Sequence, residues 1–545
     1  FALDVAPELL GDVPRGFRPV LLGLHSSYPG SEPATLAYPW LDDQLRATDF
    51  ETLEPVFRQL IQLLSSWLET THRAGFDSTA WELILGAWVS SVLSVAQDRW
   101  RIVKAFSDHF GSRGAVLTPA RNRPESFRNT AAFEHTAAYD SYWNALVIGI
   151  ISGSELFPRM STIPVNFETQ PDWLARKKWK APLQRLVLST LWPAGFAPFA
   201  RTPRITMHQT YLPTMPLVTM SLGLRKHLAF QNFRHVALTP KGDDLVRRQQ
   251  LLSFLRGQLV HQDGISCVVA EIVSRCLPQS FLESFQEILT QSIRANPFPN
   301  VILTASAHHG DDQFKIWAAA ARTSGSQLVL AEHGGLDSSQ FRFGFEERVA
   351  DRFVTSRLVS DPRAIRLPLS RLVGADRNPL RDFLRPRPAP QITLVAYTGA
   401  PWAIRASKQP HSLRSLQLAK TIADFSFEVG RFTTQKIVAK RVKPAVHWTM
   451  QEQFFERMLA SRCRISYGSL RRHLRKTSVA VCFYPETAYL ECLASNVPTI
   501  LIWDREFSSM EFLSTEAAEA MRSAGMLFES WYEATSFVRT ILDSP

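Results

Sequence analysis

A strand–helix–strand unit between residues 300 and 335 constrains the fold more than any other part of the chain. "NVILTAS" (300–306) and "QLVLAEHGG" (327–335) are short apolar runs typical of buried strands. Between them, "DDQFKIWAAAARTSG" (311–325) has two acids in its first turn and a glycine at its end, as helices commonly do. This unit predicts a parallel sheet with a right-handed crossover.

Both strands of this unit run into polar loops that contain histidine. The carboxyl ends of neighbouring parallel strands lie at one edge of the sheet, where open α/β folds bind ligands. The residues that we expect to face one cleft there are His308, His309, Asp311, Asp312, Glu332 and His333. For Gly334 and Gly335 a plain turn is the alternative, because glycine adopts positive φ without steric cost.

A proline-rich stretch separates two predicted α/β regions. Residues 381–390, "RDFLRPRPAP", are typical of an interdomain linker, and "QITLVAYTG" (391–399) begins a second strand pattern. At 545 residues the chain is too long for one ordinary core. We therefore predict an N-terminal Rossmann-like domain over residues 1–380 with helical insertions, and a C-terminal one over residues 391–545.

The C-terminal region has features of a nucleotide site. In "FYPETAYLECLA" (483–494) a strand ends just before a helix, whose free N–H groups attract an anion. Thr487 adds a hydroxyl, and Glu491 one turn later offers a carboxylate to ribose hydroxyls. An ordinary capped helix is the alternative. The candidate nucleotide-binding residues are Tyr397, Thr398, Arg441, Lys443, His447, Glu486, Thr487 and Glu491.

The first hundred residues predict two strands followed by two helices. "RPVLLGLH" (18–25) and "TLAYPWLDD" (35–43) are the strands. The second helix, which begins near Ser78, is apolar nearly all round and is expected to be buried between layers. We expect its Trp81, Trp88 and Trp100 to belong to the core.

Charge and cysteine content limit the possible functions. The formal net charge of +11 favours an anionic partner, which includes an acidic membrane surface or a phosphorylated ligand. No nucleic-acid-binding module is recognisable, so we do not predict nucleic acid. Five scattered cysteines without Cys-x-x-Cys spacing favour a reducing compartment and no structural zinc. No apolar run was expected to span a bilayer.

Motifs for other chemistries are missing from the sequence. There is no Walker A pattern, no G-x-G-x-x-G after a strand, no G-x-S-x-G and no H-E-x-x-H. His308 and His309 with Asp311 and Asp312 form a possible metal site, but adjacent residues seldom ligate one ion together. We predict a metal-independent enzyme without a cofactor.

An ordered series of motifs resembles bacterial O-antigen transferases encoded in surface-polysaccharide loci. The series includes "LGLHSSYP" (22–29), "AYPWLDD" (37–43), "WELILGAWVSSVLSVAQDRW" (81–100) and "YDSYWN" (139–144). The series continues with "DDQFKIWAAAARTSGSQLVLAEHGG" (311–335) and "PETAYLECLASNVPTILIWD" (485–504). The resemblance spans roughly residues 20 to 540, and the order is more specific than any single motif.

The resemblance implies a GT-B-like glycosyltransferase with two Rossmann-like domains facing a cleft and a helix-rich N-terminal half. More distantly, the chain is similar to transferases that move Kdo or related acidic sugars from CMP donors. The partners implied are a nucleotide sugar and a glycan or lipid-linked acceptor. We expect a cytoplasmic protein that can rest on the inner face of the cytoplasmic membrane. Two departures occur: Glu332 replaces the usual Gln, and Leu336-Asp337 replace a common Tyr-Gly.

With this resemblance in view we assign roles to the remaining candidates. The candidate catalytic residues are Asp311, Asp312, Glu332, His333 and Asp337. The candidate substrate-binding residues are His308, His309, Gly334, Gly335, Trp40 and Asp42. Two rival hypotheses remain: a transferase or epimerase on the same fold with a UDP-, GDP- or CDP-linked donor, and a non-catalytic glycan-binding relative.

Overall fold

The computed structural model describes most of the chain in separate ranges. They are residues 2–4, 18–22, 34–120, 126–158, 160–165, 205–212, 230–259, 265–332, 334, 342–356, 359–369, 372, 390–396, 400, 402–406, 412–441, 456–484, 487–504 and 515–543. These residues divide into two compact units. The first consists of Phe1–Glu332, Ser338–Leu367 and Ala403–Ser407, and the second of His333–Asp337, Pro368–Trp402 and Lys408–Pro545. The predicted linker, except Pro390, lies outside the described residues.

The first unit begins with a five-stranded parallel sheet in the order β3-β2-β1-β4-β5. Its strands are β1 (Ala2–Asp4), β2 (Pro19–Leu22), β3 (Ala34–Leu36), β4 (Ala115–Pro119) and β5 (Ser161–Val165). Its helices are α1 (Asp43–His72), α2 (Ser78–Phe110), α3 (Thr130–Tyr139) and α4 (Ser141–Ser152). Short strands of three to five residues explain why the sequence indicated only β2 and β3.

The same unit contains a second parallel sheet, in the order β11-β10-β9-β8-β6-β7. Its strands are β6 (Ile205–His208), β7 (Phe230–Gln231), β8 (Val301–Thr304), β9 (Gln327–Ala331), β10 (Arg352–Thr355) and β11 (Ala364–Arg366). Its helices are α5 (Leu245–Gln258), α6 (Ile265–Cys276), α7 (Phe285–Ala295), α8 (Ala307–Gly310), α9 (Asp312–Thr323) and α10 (Phe345–Val349). The predicted strand–helix–strand unit is β8, α9 and β9. The sequence predicts one Rossmann-like domain in this half, whereas the structure contains two parallel sheets.

Helix α2 is the central core element of the first unit. It packs against α1 and α4 on the side of the first sheet, and against α9 and α10 on the side of the second. By length and composition it would pass for a membrane span, which the sequence analysis did not expect, but 89% of its most apolar window is buried inside the protein. The expectation that α2 is buried between layers is confirmed. Trp81 and Trp88 lie in the core, whereas Trp100 is partly exposed.

The second unit is built on a third parallel sheet, in the order β14-β13-β12-β15-β16-β17. Its strands are β12 (Gln391–Val395), β13 (Lys436–Lys440), β14 (Arg464–Ser466), β15 (Thr477–Cys482), β16 (Thr499–Ile502) and β17 (Leu527–Phe528). Its helices are α11 (Ser412–Gly430), α12 (Leu470–Leu474), α13 (Thr487–Ala494), α14 (Thr515–Ser523) and α15 (Trp531–Asp543).

Strand β12 is buried on both faces, as parallel strands covered by helices usually are. Ile392 and Leu394 pack in one core cluster that includes Phe425. Val395 packs in a different cluster that includes Tyr489. Because side chains alternate along a strand, these clusters lie on opposite faces of the sheet. The α/β class with parallel, Rossmann-like sheets is therefore confirmed.

The packing of α2 on α10 predicts opposite effects for two glycine substitutions. A Cβ at Gly86 would lie 2.5 Å from the buried ring of Phe345, so Gly86→Ala forces the ring to move. We expect a loss of stability of about 1–3 kcal/mol, as for other overpacked cores. The matched control is Gly257→Ala in α5, where a Cβ meets nothing within 4 Å. That substitution should stabilise by about 0.4–1 kcal/mol.

Thermal unfolding followed by circular dichroism measures both effects. A melting temperature that rises for Gly86→Ala as it does for Gly257→Ala would show that α10 does not pack closely on α2.

Candidate functional site

The second sheet reverses its strand order beside β6. From one edge to the other, the strands lie in the order β7-β6-β8-β9-β10-β11. The chain goes from β6 to β7 on one side of β6, crosses back to β8 on the other side of β6, and then continues away from β6 to β9, β10 and β11. The connections after β6 and β8 therefore diverge. This divergence opens a crevice at the carboxyl ends of the two strands, which is where open α/β sheets bind ligands.

Two histidines and one carboxylate converge at this crevice. His208 ends β6, His235 follows β7 and Asp311 follows β8. The Nε2 atoms of His208 and His235 lie 2.9 and 2.7 Å from Oδ2 of Asp311. The side chain of His235 is 43% exposed, whereas those of His208 and Asp311 are each 9% exposed. We call these three residues the His–Asp cluster.

The surrounding residues hold the His–Asp cluster in place. Asp311 caps α9, because its Oδ1 accepts a hydrogen bond of 3.2 Å from the backbone N–H of Phe314. The His208 ring packs between those of Phe233 and Phe314, with centroids 5.4 and 5.2 Å away. Gln209 donates to Asp311 Oδ2 over 3.2 Å. Its backbone is left-handed with φ 48°, a conformation rare outside glycine and enriched at functional sites.

The charge state of Asp311 is set by competing effects. Burial opposes its ionisation, but the hydrogen bonds from His208 and His235 outweigh burial and hold the pKa of the carboxyl well below its usual range. Asp311 is therefore a stable carboxylate at neutral pH. Its Oδ2 faces two imidazoles and an amide, so it is suited to orient these groups.

His308 and His309 belong to a separate group with Glu346. His309 Nε2 lies 2.6 Å from Glu346 Oε1, and His308 Nε2 lies 3.5 Å from the same oxygen. Burial, followed by the charges of His308 and Arg342, lowers the pKa of His309 well below its usual value. Burial would raise the pKa of Glu346, but His309 and His308 hold it well below its usual range. The structure thus divides the predicted single cleft into distinct groups.

Asp312, predicted as a leading catalytic carboxylate, has a structural position, and its catalytic role stays a prediction. It is 3% exposed, and its Oδ1 lies 2.7 Å from Nζ of the fully buried Lys315. Its Oδ2 accepts hydrogen bonds from the backbone N–H of Thr130 at 2.8 Å and from Ser280 Oγ at 2.5 Å. Both oxygens therefore serve the core of the first unit.

Glu332 is also buried, at 8% exposure, and its Oε2 accepts a hydrogen bond of 3.2 Å from the backbone N–H of Ser356. This contact ties the end of β9 to the end of β10. His333, Gly335 and Asp337 lie outside the described residues, and their roles stay predictions.

Trp40 and Asp42, which the sequence analysis assigns to substrate binding, both have structural contacts. Trp40 is fully buried, and its Nε1 donates to Asp49 Oδ2 over 2.7 Å. Asp42 caps α1 by accepting from the backbone N–H groups of Gln44 and Leu45 at 2.9 and 3.0 Å. The burial of Trp40 and the capping contacts of Asp42 explain both side chains structurally, and their substrate contacts stay predictions.

The N-terminal motifs meet in a buried polar network. Tyr38 Oη donates to Asp98, and Asp98 pairs with Arg99 over 2.6 Å. Arg99 donates to Asn144 Oδ1 over 2.9 and 2.7 Å and to the carbonyl of Ala137 over 3.0 Å. Three of the motifs in the ordered series, at 37–43, 81–100 and 139–144, thus contribute to one network around the buried guanidinium of Arg99.

The third sheet has the strand order of dinucleotide-binding Rossmann folds. Numbered along the chain, its strands run 3-2-1-4-5-6, and the order reverses between β12 and β15. Helix α13 begins at Thr487, shortly after β15, so its N-terminus lies at this switch point. The N–H groups of its first turn and its positive dipole end are suited to a phosphate.

Several predicted nucleotide-binding residues occur near this switch point. A Cβ at Gly334 would lie 2.8 Å from Thr487 Oγ1, so a side chain here would force the Thr487 hydroxyl to shift. Glu491 is 5% exposed on α13, and Arg441 is fully buried just after β13. Tyr397, Thr398, Lys443, His447 and Glu486 lie outside the described residues, and their roles stay predictions.

Sequence reasoning missed His208, His235 and Glu346. His208 ends a four-residue strand in a region without clear periodicity, and His235 follows a strand of only two residues. A histidine at the end of the run "ITMH" (205–208) was the available signal. Nothing in the local sequence indicated Glu346, which reaches His309 across 37 positions.

The buried Asp98 predicts a pH dependence of stability. Burial, opposed by Arg99, raises the pKa of Asp98 to about 6 from 3.8. Between these values the folded chain holds a proton that the unfolded chain has released. The free energy of unfolding of the wild type, measured relative to that of Asp98→Asn, should therefore fall by roughly 3 kcal/mol as the pH rises from about 4 to above 6.

Urea unfolding of both proteins at several pH values gives this difference. A constant difference across the range would show that Asp98 titrates normally. Glu533→Gln, an exposed carboxylate on α15, is the control and should follow the wild type.

Comparison with known proteins gives a family match and a distant structural likeness. No curated protein matches the sequence. The crystal structure of MurG from Acinetobacter baumannii resembles the fold with a TM-score of 0.30 and 8% sequence identity, covering 62% of this chain and 92% of MurG. The sequence match to the family covers residues 23–545. The chain therefore belongs to the LIC12162 family of transferases.

Proposed function

We propose that this transferase is a glycosyltransferase that moves a sugar from a nucleotide donor to a hydroxyl group of an acceptor. The observation that carries the proposal is the N-terminus of α13 at the switch point of a sheet with the 3-2-1-4-5-6 order. This order creates a crevice that suits a nucleotide.

The donor nucleotide is proposed to bind to the second unit. The N–H groups at the start of α13 receive its phosphate, and Thr487 adds a hydroxyl there. Gly334 lets the backbone approach this point closely, since a side chain at that position would meet Thr487. Glu491 receives the ribose hydroxyls, and the buried guanidinium of Arg441 balances phosphate charge.

The acceptor hydroxyl is proposed to be activated by the His–Asp cluster of the first unit. Three donors already surround Asp311 Oδ2, so this carboxylate is poorly placed to attack an anomeric carbon. The partly exposed His235 is the member that reaches solvent. A cluster of this kind suits removal of a proton better than formation of a glycosyl-enzyme.

The reaction is then a single displacement. The acceptor oxygen gives up its proton at the cluster and forms a bond to the anomeric carbon of the donor sugar. The bond between that carbon and the donor phosphate oxygen breaks, and the nucleotide leaves with the electron pair.

The donor and acceptor classes follow from the resemblance to O-antigen transferases. We propose a CMP-linked acidic sugar as donor and a bacterial surface polysaccharide or lipid-linked glycan as acceptor. The positive net charge of +11 suits work at the cytosolic face of an anionic membrane.

Nucleotide binding is tested with a thermal-shift panel of CMP, CDP, UMP, UDP, GDP and ADP. A ligand that binds only the folded chain raises its melting temperature, and 100 times its Kd contributes about 2.7 kcal/mol. We expect CMP to stabilise the chain and Glu491→Gln to remove most of this shift. Gly334→Ala should weaken it too, because the added methyl crowds Thr487.

The control variant for the panel is Glu519→Gln on α14, an exposed carboxylate away from the switch point. It should respond to CMP as the wild type does. A response to UDP or GDP alone would exclude the CMP donor, and no response to any nucleotide or to intact nucleotide sugars would contradict the proposed function.

Catalysis is tested by replacing His235. With the donor nucleotide known, release of that nucleotide from its sugar conjugate reports turnover in the presence of glycolipid acceptor. We expect His235→Gln to lower kcat by about 10²–10⁴-fold, as for the loss of a group that handles the transferred proton. Because the His235 side chain is partly exposed, its replacement should leave the fold intact. The control is His109→Gln, at an exposed histidine near the end of α2, which should retain full turnover. Equal turnover in both variants would remove the cluster from the mechanism.

A further inference from the structure

We propose that the His–Asp cluster binds a divalent first-row transition-metal ion through His208 Nε2, His235 Nε2 and Asp311 Oδ2. This inference deepens the proposed function, on which its catalytic consequence rests, whereas binding of the ion is independent of it. It replaces the metal-independent mechanism predicted from the sequence, which considered only the adjacent His308 and His309.

The positions of the three ligand atoms fit an ion. All of them lie within 4.8 Å of one another. Ligands about 2.0–2.2 Å from an ion and at right angles to each other are roughly 3 Å apart. The two distances to Asp311 Oδ2, 2.9 and 2.7 Å, are close to this value. Each nitrogen thus lies at about the distance from Asp311 Oδ2 that neighbouring ligands of one ion have.

Hydrogen bonds alone explain the positions of these side chains poorly, because too many donors address one oxygen. Both imidazoles and the Gln209 amide address one carboxylate oxygen, which offers about two lone pairs. An ion accepts lone pairs from both Nε2 atoms and from the carboxylate at once. Three polar groups that aim at one point are therefore better explained by a shared cation.

The surroundings prepare these side chains as ligands. The Phe314 N–H holds Asp311 Oδ1, which leaves Oδ2 directed at the imidazoles. The Phe233 and Phe314 rings fix the plane of His208. Such outer contacts orient the ligands of natural metal sites.

Gln209 offers a further ligand at the same place. Its Oε1 accepts from Ser306 Oγ over 3.1 Å, and its Nε2 faces the cluster. The two ends of a carboxamide are interchangeable in such a network, because a serine hydroxyl both donates and accepts. Turned over, Gln209 presents a carbonyl oxygen to the ion.

Position also distinguishes this cluster from the other His–carboxylate group of the described residues. His308, His309 and Glu346 meet the distance requirement too. Arg342 lies close enough to oppose a positive charge on His309, and it would repel a metal ion. The His–Asp cluster instead lies at a strand switch point and has a partly exposed member through which an ion and its other ligands can enter.

The ligand set selects the class of ion. Imidazole nitrogens suit zinc, manganese, cobalt and iron, whereas magnesium and calcium prefer oxygen ligands. Three protein ligands leave coordination positions open, as in catalytic rather than structural zinc sites. An acceptor hydroxyl bound at an open position would lose its proton more easily, so the ion rather than an imidazole nitrogen would activate the acceptor in the proposed reaction.

The test is direct measurement of ion binding by the full-length chain after treatment with a chelator. Titration calorimetry with ZnCl₂ should show one equivalent bound, and CoCl₂ should give visible absorption from a cobalt ion with nitrogen and oxygen ligands. His235→Ala should weaken zinc binding by more than about 100-fold, since loss of an outer partner alone costs about 10–100-fold. His109→Ala should bind like the wild type.

Three outcomes would overturn the inference: no zinc or cobalt bound by the wild type, equal affinity in His235→Ala, or loss of binding only in Glu346→Gln. Circular dichroism establishes that each variant is folded. The melting-temperature shifts caused by nucleotides, measured on the chain after treatment with a chelator, separate the two proposals. A chain that responds to nucleotide and binds no metal retains the proposed function and loses this inference, and the converse result retains only the inference.

Discussion

Burial of helix α2 is the constraint on which the first unit depends. The helix is 33 residues long and contacts helices that belong to both sheets of the unit. Such close contact requires small residues at some positions, and Gly86 lets the ring of Phe345 lie against the backbone. A helix buried on all sides must also pair every charge that it carries. Asp98 and Arg99 meet this requirement with each other and with Tyr38 and Asn144.

Buried ion pairs recur around the second sheet and explain why conspicuous charged residues are structural. Lys315 and Asp312 pair inside the core, and removal of either would leave a charge without compensation. Glu134 accepts from Ser91 at 2.7 Å and pairs with Arg342 at 3.2 Å. These pairs fix the helices that surround the carboxyl edge of the sheet. The cluster of His208, His235 and Asp311 differs from them, because one of its members reaches solvent.

The strand orders of two sheets determine where chemistry is expected. Each order contains one point at which successive connections diverge, and each of these points lies beside polar groups suited to a substrate. In the first unit the point carries imidazoles and a carboxylate, which handle protons or bind metal. In the second it carries a helix N-terminus, whose N–H groups are suited to a phosphate. The proposed glycosyl transfer from a nucleotide donor to a hydroxyl acceptor needs both kinds of group.

The sequence by itself determined the local structure. The apolar runs and the caps located β8, α9 and β9. Of the two acids predicted in the first turn of α9, Asp312 lies there and Asp311 is the N-cap one residue earlier. Such local features depend on neighbouring residues only. The all-round apolar pattern of α2 likewise showed that it is buried. Tertiary structure decided which polar residues meet. His208 and His235 are 103 and 76 positions from Asp311, and they come together only because β6, β7 and β8 are adjacent strands. Whether a polar side chain is structural or accessible to a ligand also depends on which residue the fold brings into contact with it. Lys315 thus places Asp312 in the core, while the neighbouring Asp311 faces the crevice.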